Sequence, residues 1–109
     1  MANTFKLKTK ANVGVTTVGI YTAPAATTTV VIGITMANIS GSGVNVGVGI
    51  TRAGTTEDVK LLKNAPIPQG SSLEFMAGNK VVLEATDTVT VDSDTNNSID
   101  AALTIMEIT

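Results

Sequence analysis

Val44-Asn45-Val46-Gly47-Val48-Gly49-Ile50-Thr51 decides how the rest of the chain is read. Val44, Val46, Val48 and Ile50 alternate with Asn45, Gly47, Gly49 and Thr51. Only an extended strand resolves this period of two into one apolar face and one nearly bare face. A helix would scatter the four β-branched side chains around its circumference, and their stiff χ1 angles favour a pleated surface. The stretch is a half-buried β-strand.

The same alternation spreads outward from it. Val30, Ile32, Ile34 and Met36 are expected on one face of the preceding strand, with Val31, Gly33, Thr35 and Ala37 on the other. Val89 and Val91 alternate with Thr88, Thr90 and Asp92, and Ile99, Ala101, Leu103 and Ile105 oppose Asp100, Ala102, Thr104 and Met106. Turn signals fall at Ala23-Pro24, Ser40-Gly41-Ser42-Gly43, Ala53-Gly54, Pro66-Ile67-Pro68-Gln69-Gly70, Ala77-Gly78-Asn79 and 92–98. They leave about eight short strands, near 4–10, 13–22, 27–39, 44–53, 58–64, 71–76, 80–84 with 87–92, and 98–108. The expected fold is all-β: a single-domain antiparallel β-sandwich, jelly-roll-like, over residues 1–109. Residues 1–12 are expected as an edge strand or an extended N-terminal arm. Residues 56–63 have a competing reading as a short helix, with Thr55 or Thr56 as N-cap and Glu57 and Asp58 in its first turn.

Composition narrows the function. The chain has 109 residues with no Cys, His or Trp, two Phe and one Tyr, while Thr, Val and Ile supply 18, 13 and 9. Without Cys or His there is no thiolate nucleophile, disulfide, imidazole base or zinc cluster built on those ligands. The plentiful hydroxyls have nothing to activate them, so an enzyme is not expected. A net charge of −2 and scarce aromatics argue against nucleic acid as a partner. No run approaches the roughly 18 apolar residues of a membrane helix, so no membrane partner is expected. The apolar-leaning segment after the N-terminal lysines is too interrupted by Gly and Thr for a secretory core.

Charge is polarised along the chain. Residues 1–63 carry Lys6, Lys8, Lys10, Arg52, Lys60 and Lys63 against Glu57 and Asp58. From Glu84 onward there are only acids: Glu84, Asp87, Asp92, Asp94, Asp100 and Glu107. Such a subunit can pack a basic face on an acidic one, or expose two solvated faces.

Several residues are candidates for a site. Asp92, Asp94, Asn96 and Asp100 imitate the alternate oxygen ligands of an EF-hand loop, but Asn97 stands where Gly belongs and Leu103 where Glu belongs. An Asx-rich hairpin turn explains the same residues, and no cofactor or firm metal site is expected. Gly47 and Gly49 share one strand face, which invites close approach of another backbone, internal or from a neighbouring subunit. Pro66 and Pro68 would stiffen a loop into a rigid contact. Lys6, Lys8 and Lys10 lie on one side of their segment, where they blunt a free sheet edge or bind an acidic neighbour. Glu84, Asp87, Asp92, Asp94 and Asp100 read as solvated strand ends, and Tyr21 as a half-buried packing residue. Charged residues are only 15% of the chain, against about 25% in typical soluble domains. That low share favours surfaces that meet other proteins.

Two stretches carry a resemblance. Ile20-Tyr21-Thr22-Ala23-Pro24 leads to Thr28-Thr29-Val30-Val31-Ile32-Gly33-Ile34 and Ala37-Asn38-Ile39-Ser40. Leu62-Lys63-Asn64-Ala65-Pro66-Ile67-Pro68, Gly70-Ser71-Ser72-Leu73-Glu74 and 80–87 follow. Together they resemble small all-β virion structural proteins of tailed bacteriophages, especially those of marine hosts. The resemblance covers most of 13–109 and implies no catalytic residues. It implies localisation in the virion, with assembly in the host cytoplasm, and contacts with the major capsid or tail protein. Homo-oligomers, including a trimer, are expected, with head decoration favoured over a tail, neck or fibre position. From a different class, a carbohydrate- or cell-surface-binding β-sandwich, Ca²⁺-assisted through residues 92–100, stands as the alternative.

Overall fold

A computed structural model describes residues 3–55, 57–75 and 80–109. Nine strands are present among them: β1 (Asn3–Val13), β2 (Val18–Thr22), β3 (Thr28–Asn38), β4 (Val44–Arg52), β5 (Glu57–Ile67), β6 (Ser72–Phe75), β7 (Val81–Leu83), β8 (Thr88–Ser93) and β9 (Ile99–Ile108). One sheet runs β1-β9-β3-β6, with β7 also on β3, and the other runs β2-β8-β4-β5. All pairings are antiparallel. β6 and β7 lie on the same side of β3, opposite Ile34–Ala37 and Thr29–Val31 respectively. They therefore fill one sheet position, and the fold is a jelly roll of two four-position sheets.

Three local expectations change, and one pair of alternatives is decided. The 13–22 stretch is broken, because the chain leaves the β1 sheet after Val13 and enters the β4 sheet at Val18. The 80–92 stretch is also two strands in different sheets. Its Glu84–Asp87 turn is closed by Asp87 N–H donating to Glu84 O at 3.1 Å and Glu84 N–H donating to Asp87 Oδ2 at 3.0 Å. Residues 57–67 are strand, as the 58–64 reading expects, and not the competing helix; they are held along β4. Pro66 belongs to this strand, opposite Asn45, rather than to a loop. β5 is an edge, where a missing amide donor costs no ladder bond. The turn follows at Pro68, whose carbonyl accepts from Ser71 N–H at 3.1 Å, with Gly70 at φ 73°. The positive φ at the third position is what a type II turn requires of glycine. The expected Ala77-Gly78-Asn79 turn and Thr56 lie outside the described residues.

The core sits between the sheets. Val44, Val46, Val48 and Ile50 face it from β4, and Ile99, Ala101, Leu103 and Ile105 from β9, as their alternation requires. Each fully buried aliphatic side chain contributes about 1.5–3 kcal/mol. β3 departs from its expected pattern. Val31 pairs with Ile105 but Gly33 with Thr104, so Ile32 is the extra residue of a bulge. The bulge switches the strand's parity: Thr29 and Val31 point inward before it, Ile34 and Met36 after it. Val30 and Ile32 are thereby turned outward.

Asn38 closes this end of the core. Its Nδ2 donates to Ser42 O at 2.8 Å and Ile67 O at 2.9 Å. Its Oδ1 accepts from Ser40 N–H at 2.9 Å and Ser40 Oγ at 2.8 Å. A buried amide with all its groups used costs nothing in unmet hydrogen bonds, and here it pins the β3–β4 turn to β5.

Candidate functional site

Registers place each side chain on a face. Phe5 pairs with Met106, Met106 with Val30, and Val30 with Val82. These four form an apolar row across β1, β9, β3 and β7 on the side of the sheet away from the core. Phe5 is 69% exposed and Val82 58%, and Leu7, one row along, is 64%. Beyond Leu7 the face turns small: Thr9 pairs with Ala102, and Ala102 with Thr35. There a shallow trough of about 370 Å³ is lined by the small residues Thr9, Ala11, Thr35, Ala37 and Ala102 together with the charged Lys10 and Asp100. The outer β1-sheet face is thus a bulky apolar ridge beside a trough of small residues.

The outer face of the β4 sheet is different. Thr22, Thr88, Thr51 and Asp58 cross it in register, with Thr22 and Thr88 hydroxyls 2.9 Å apart and Thr51 Oγ1 donating to Asp58 Oδ1 at 2.9 Å. Gly47 and Gly49 lie on this face but are buried. A Cβ on Gly49 would stand 2.9 Å from Val59 O, and one on Gly47 would stand 3.3 Å from Leu62 O and 2.6 Å from Asp92 Oδ1. The backbone that approaches these glycines is the chain's own β5.

The lysines fall on the inner side of an edge strand. Lys6, Lys8 and Lys10 pair with Ile105, Leu103 and Ala101, whose side chains enter the core. Inward-pointing charge on an edge is a device against strand addition, because a new strand would bury it. Residues 3–13 are accordingly a paired edge strand rather than an arm. Pro66 and Pro68 are exposed at the β5 edge and just beyond it.

The EF-hand-like residues diverge. Asp92 Oδ2 accepts from Thr17 Oγ1 at 2.9 Å, and Asp94 Oδ1 from Asn45 N–H at 3.1 Å. Asn96 Oδ1 accepts from Val15 N–H at 3.4 Å, and Asp100 Oδ1 from Asn12 N–H at 3.0 Å. Four oxygens serve four different donors on distant segments, so they fasten the 92–100 hairpin to its neighbours rather than converge on one ion. Asn97 takes φ 51°, a conformation that Asn tolerates. Among the described residues no group of three or more acidic side chains is arranged to hold a metal ion.

Two polar junctions were not expected. Tyr21, buried, donates to Glu107 Oε2 at 2.6 Å, and its oxygen lies 2.8 Å from Thr29 Oγ1. Because the phenol proton goes to the carboxylate, Thr29 is the donor in the second bond. Lys6 Nζ meets the other oxygen, Glu107 Oε1, at 2.9 Å. Burial, then the bond to Glu107, push the Tyr21 phenol up to about 12. The hydrogen bond from Tyr21, followed by that from Lys6, holds Glu107 below the ordinary carboxylate range. The junction ties β2 of one sheet to β9 and β3 of the other. Elsewhere Arg52 pairs with Glu84, and its Nε lies 3.0 Å from Asp87 Oδ2 at an angle unsuited to a hydrogen bond. Asp87, expected as a solvated strand end, is buried.

Of these features, Glu107 was within reach of the sequence, since it continues the Ile99–Ile105 alternation. The apolar row was not. Phe5 and Leu7 alternate with the lysines, but which side faces out follows only from their pairing with β9.

No protein-family model matches the chain, and no curated protein matches it. Solved structures do match. A chain from the disulfide-linked pili of Bacillus endospore appendages superposes with a TM-score of 0.57 at 16% identity, over 99% of this chain and 87% of that one. A chain of the T13 particle of infectious bursal disease virus gives 0.60 at 12% identity, over 96% of this chain and 30% of that one. A chain from the capsid asymmetric unit of cyanophage Pam1 gives 0.53 at 12%, over 96% and 84%. Viral capsid chains and a pilus chain thus share this jelly-roll fold.

Proposed function

We propose that this chain is a virion structural protein of a tailed bacteriophage, a decoration or cement subunit that stabilises the capsid through protein contacts. The observation that carries the reading is the uncharged row Phe5–Met106–Val30–Val82, half-buried in the middle and exposed at Phe5 and Val82. Contiguous apolar surface on a small domain marks a contact site. The likeness to capsid chains of a cyanophage and of infectious bursal disease virus supports a particle over another setting. The pilus likeness supports the same physical role, assembly through faces. A disulfide-linked fibre, however, is chemically closed to a chain without cysteine.

Head decoration is favoured over a tail, neck or fibre position because the described residues form a short jelly roll without a coiled-coil segment and the sequence shows no fibre repeat. In that role the protein works by burying strand faces against neighbouring copies and the shell protein. The test is imaging of particles labelled on this protein. Label over the head, and loss of heat resistance in particles lacking the protein, are expected. Label confined to the tail overturns the decoration assignment, and unlabelled particles overturn the virion assignment.

A further inference from the structure

We infer that β1 takes up an extended segment of another protein as a further antiparallel strand. That segment carries carboxylates opposite Lys8 and Lys10 and apolar side chains opposite Phe5 and Leu7. Most edges of the two sheets are poor templates for such an addition. β2 is five residues long with a register shift between Gly19 and Tyr21, and β6 and β7 are four and three residues long. β5 shifts register twice along β4 and carries Pro66. Of these edges only β1 is long and regular, running from Asn3 to Lys10 without a shift. Among the described residues no strand pairs with its side away from β9. Alternate residues there present free N–H and C=O groups, which is what strand addition requires.

Neither face of this edge has its complement. On the inner side Lys6 meets Glu107, while Lys8 and Lys10 form no ion pair among the described residues. Glu107 is committed to Lys6 and Tyr21, and Asp100, which lines the trough with Lys10, gives its Oδ1 to Asn12 N–H. Three lysines against one buried carboxylate leave this margin positive on a chain of net charge −2. On the outer side Phe5 and Leu7 stand exposed. Directly paired residues share a face, so one strand with acids and apolar residues on opposite sides meets both needs while its backbone fills the edge. The pair between Lys6 and Glu107 at 2.9 Å shows that an inward lysine of β1 reaches a carboxylate on a neighbouring strand. The lysines thus make a selective guard. They reject an uncharged or basic strand, which would bury them unpaired, and admit an acidic one. A second copy does not supply the pattern. Among its edge strands β1, β2 and β7 have no acid, β6 has Glu74 alone, and Glu57 and Asp58 of β5 are adjacent and face opposite ways. The inference goes beyond the virion reading and does not depend on it, because the segment is defined by its chemistry.

The probe is a capped synthetic peptide, Thr-Asp-Val-Asp-Val-Thr-Val-Thr, which read antiparallel sets its aspartates on Lys10 and Lys8 and its valines on Thr9, Leu7 and Phe5. Titration calorimetry with the purified full chain is expected to show saturable binding. The same peptide with lysine in place of aspartate binds about tenfold more weakly or worse. Lys8→Glu with Lys10→Glu inverts that preference, and the inversion itself shows that the variant is folded. Backbone pairing is read separately. Alternate amides of a strand point to opposite edges, so N-methylation of the valines in one peptide, and of the aspartates and central threonine in another, leaves one peptide that binds and one weakened by about tenfold or more. Equal affinity of the two methylated peptides overturns strand addition. Equal affinity of the acidic and basic peptides overturns the role of the lysines, and no binding of the acidic peptide overturns the inference as a whole. Self-association of the chain that is abolished by Lys8→Glu with Lys10→Glu would make a second copy the occupant, and overturns it too. Labelled particles decide the virion reading independently of all these outcomes.

Discussion

On the outer face of the β1 sheet Phe5 and Val82 end an apolar row that crosses four strands, while the matching rows of the β4 sheet read Thr22–Thr88–Thr51–Asp58 and Gly19–Thr90–Gly49–Lys60. Both faces belong to antiparallel sheets over one core, and either would be free to face water. The β4 face has resolved its own needs. Its hydroxyls bond one another, its carboxylates have donors, and its glycines are roofed by β5. The β1 face has not. Its surplus is apolar rather than polar, and that contrast is what the proposed contact on this face rests on.

The largest effect on this contrast comes from filling the β4 face. Gly49→Val places side-chain carbon against Val59 O and Thr90 Oγ1, and is expected to cost about 1–3 kcal/mol in urea unfolding. Thr35→Val, on the exposed β1 face, stays within about 0.5 kcal/mol. Equal losses would show that the two faces are alike. A smaller loss is expected for Arg52→Gln. It takes the cation from buried Asp87, which keeps the Glu84 amide, and costs about 1 kcal/mol. An unchanged unfolding midpoint would show that the Arg52 contact contributes nothing.

The Tyr21–Glu107 junction holds the two sheets, and hence the two faces, in one body, and pH probes it from both sides. The Tyr21 phenol ionises near 12 in the fold against 10 in the open chain, so folding favours its neutral form. That stabilisation is complete below pH 10 and is lost as pH rises from about 10 to about 12. Glu107 lies below its ordinary 4.5, so its contribution is present above that value and is lost on acidification through the lower, folded value. Tyr21→Phe therefore flattens the decline in melting temperature between pH 10 and 12, followed by circular dichroism. An identical decline in the variant would place its origin elsewhere.

The smallest effect is on the apolar row itself. Phe5→Ser with Val82→Ser is expected to change unfolding free energy by no more than about 0.5 kcal/mol, read where copies are separate. A loss above about 2 kcal/mol would mean that these side chains belong to the core.

The strands with unbroken period two were legible. β4, β8 and β9 bury the residues that their alternation assigns. β3 was not, because a bulge leaves no mark in a run of Val, Ile, Gly and Thr. Ile32 carries no turn signal, yet it alone shifts Val30 outward. The apolar row was hidden for that reason, and because strand pairing, which puts Met106 beside both Phe5 and Val30, is a long-range property. Pro66 misled differently: a proline reads as a loop until the strand that holds it is known to be an edge. Glu107 was visible by position and masked by its charge, since an acid on an inward face makes sense only once Tyr21 and Lys6 are seen to meet it.

Tyr21 is the sole tyrosine in a chain without tryptophan. Its hydroxyl is committed to a carboxylate of the opposite sheet, a partner that quenches phenol emission. The molecule therefore carries a built-in optical gauge at a single point. Near-ultraviolet fluorescence, dim while the sheets are joined, brightens when they part, without any added dye. Opening of the sandwich can thus be timed during assembly or heating in the unlabelled protein.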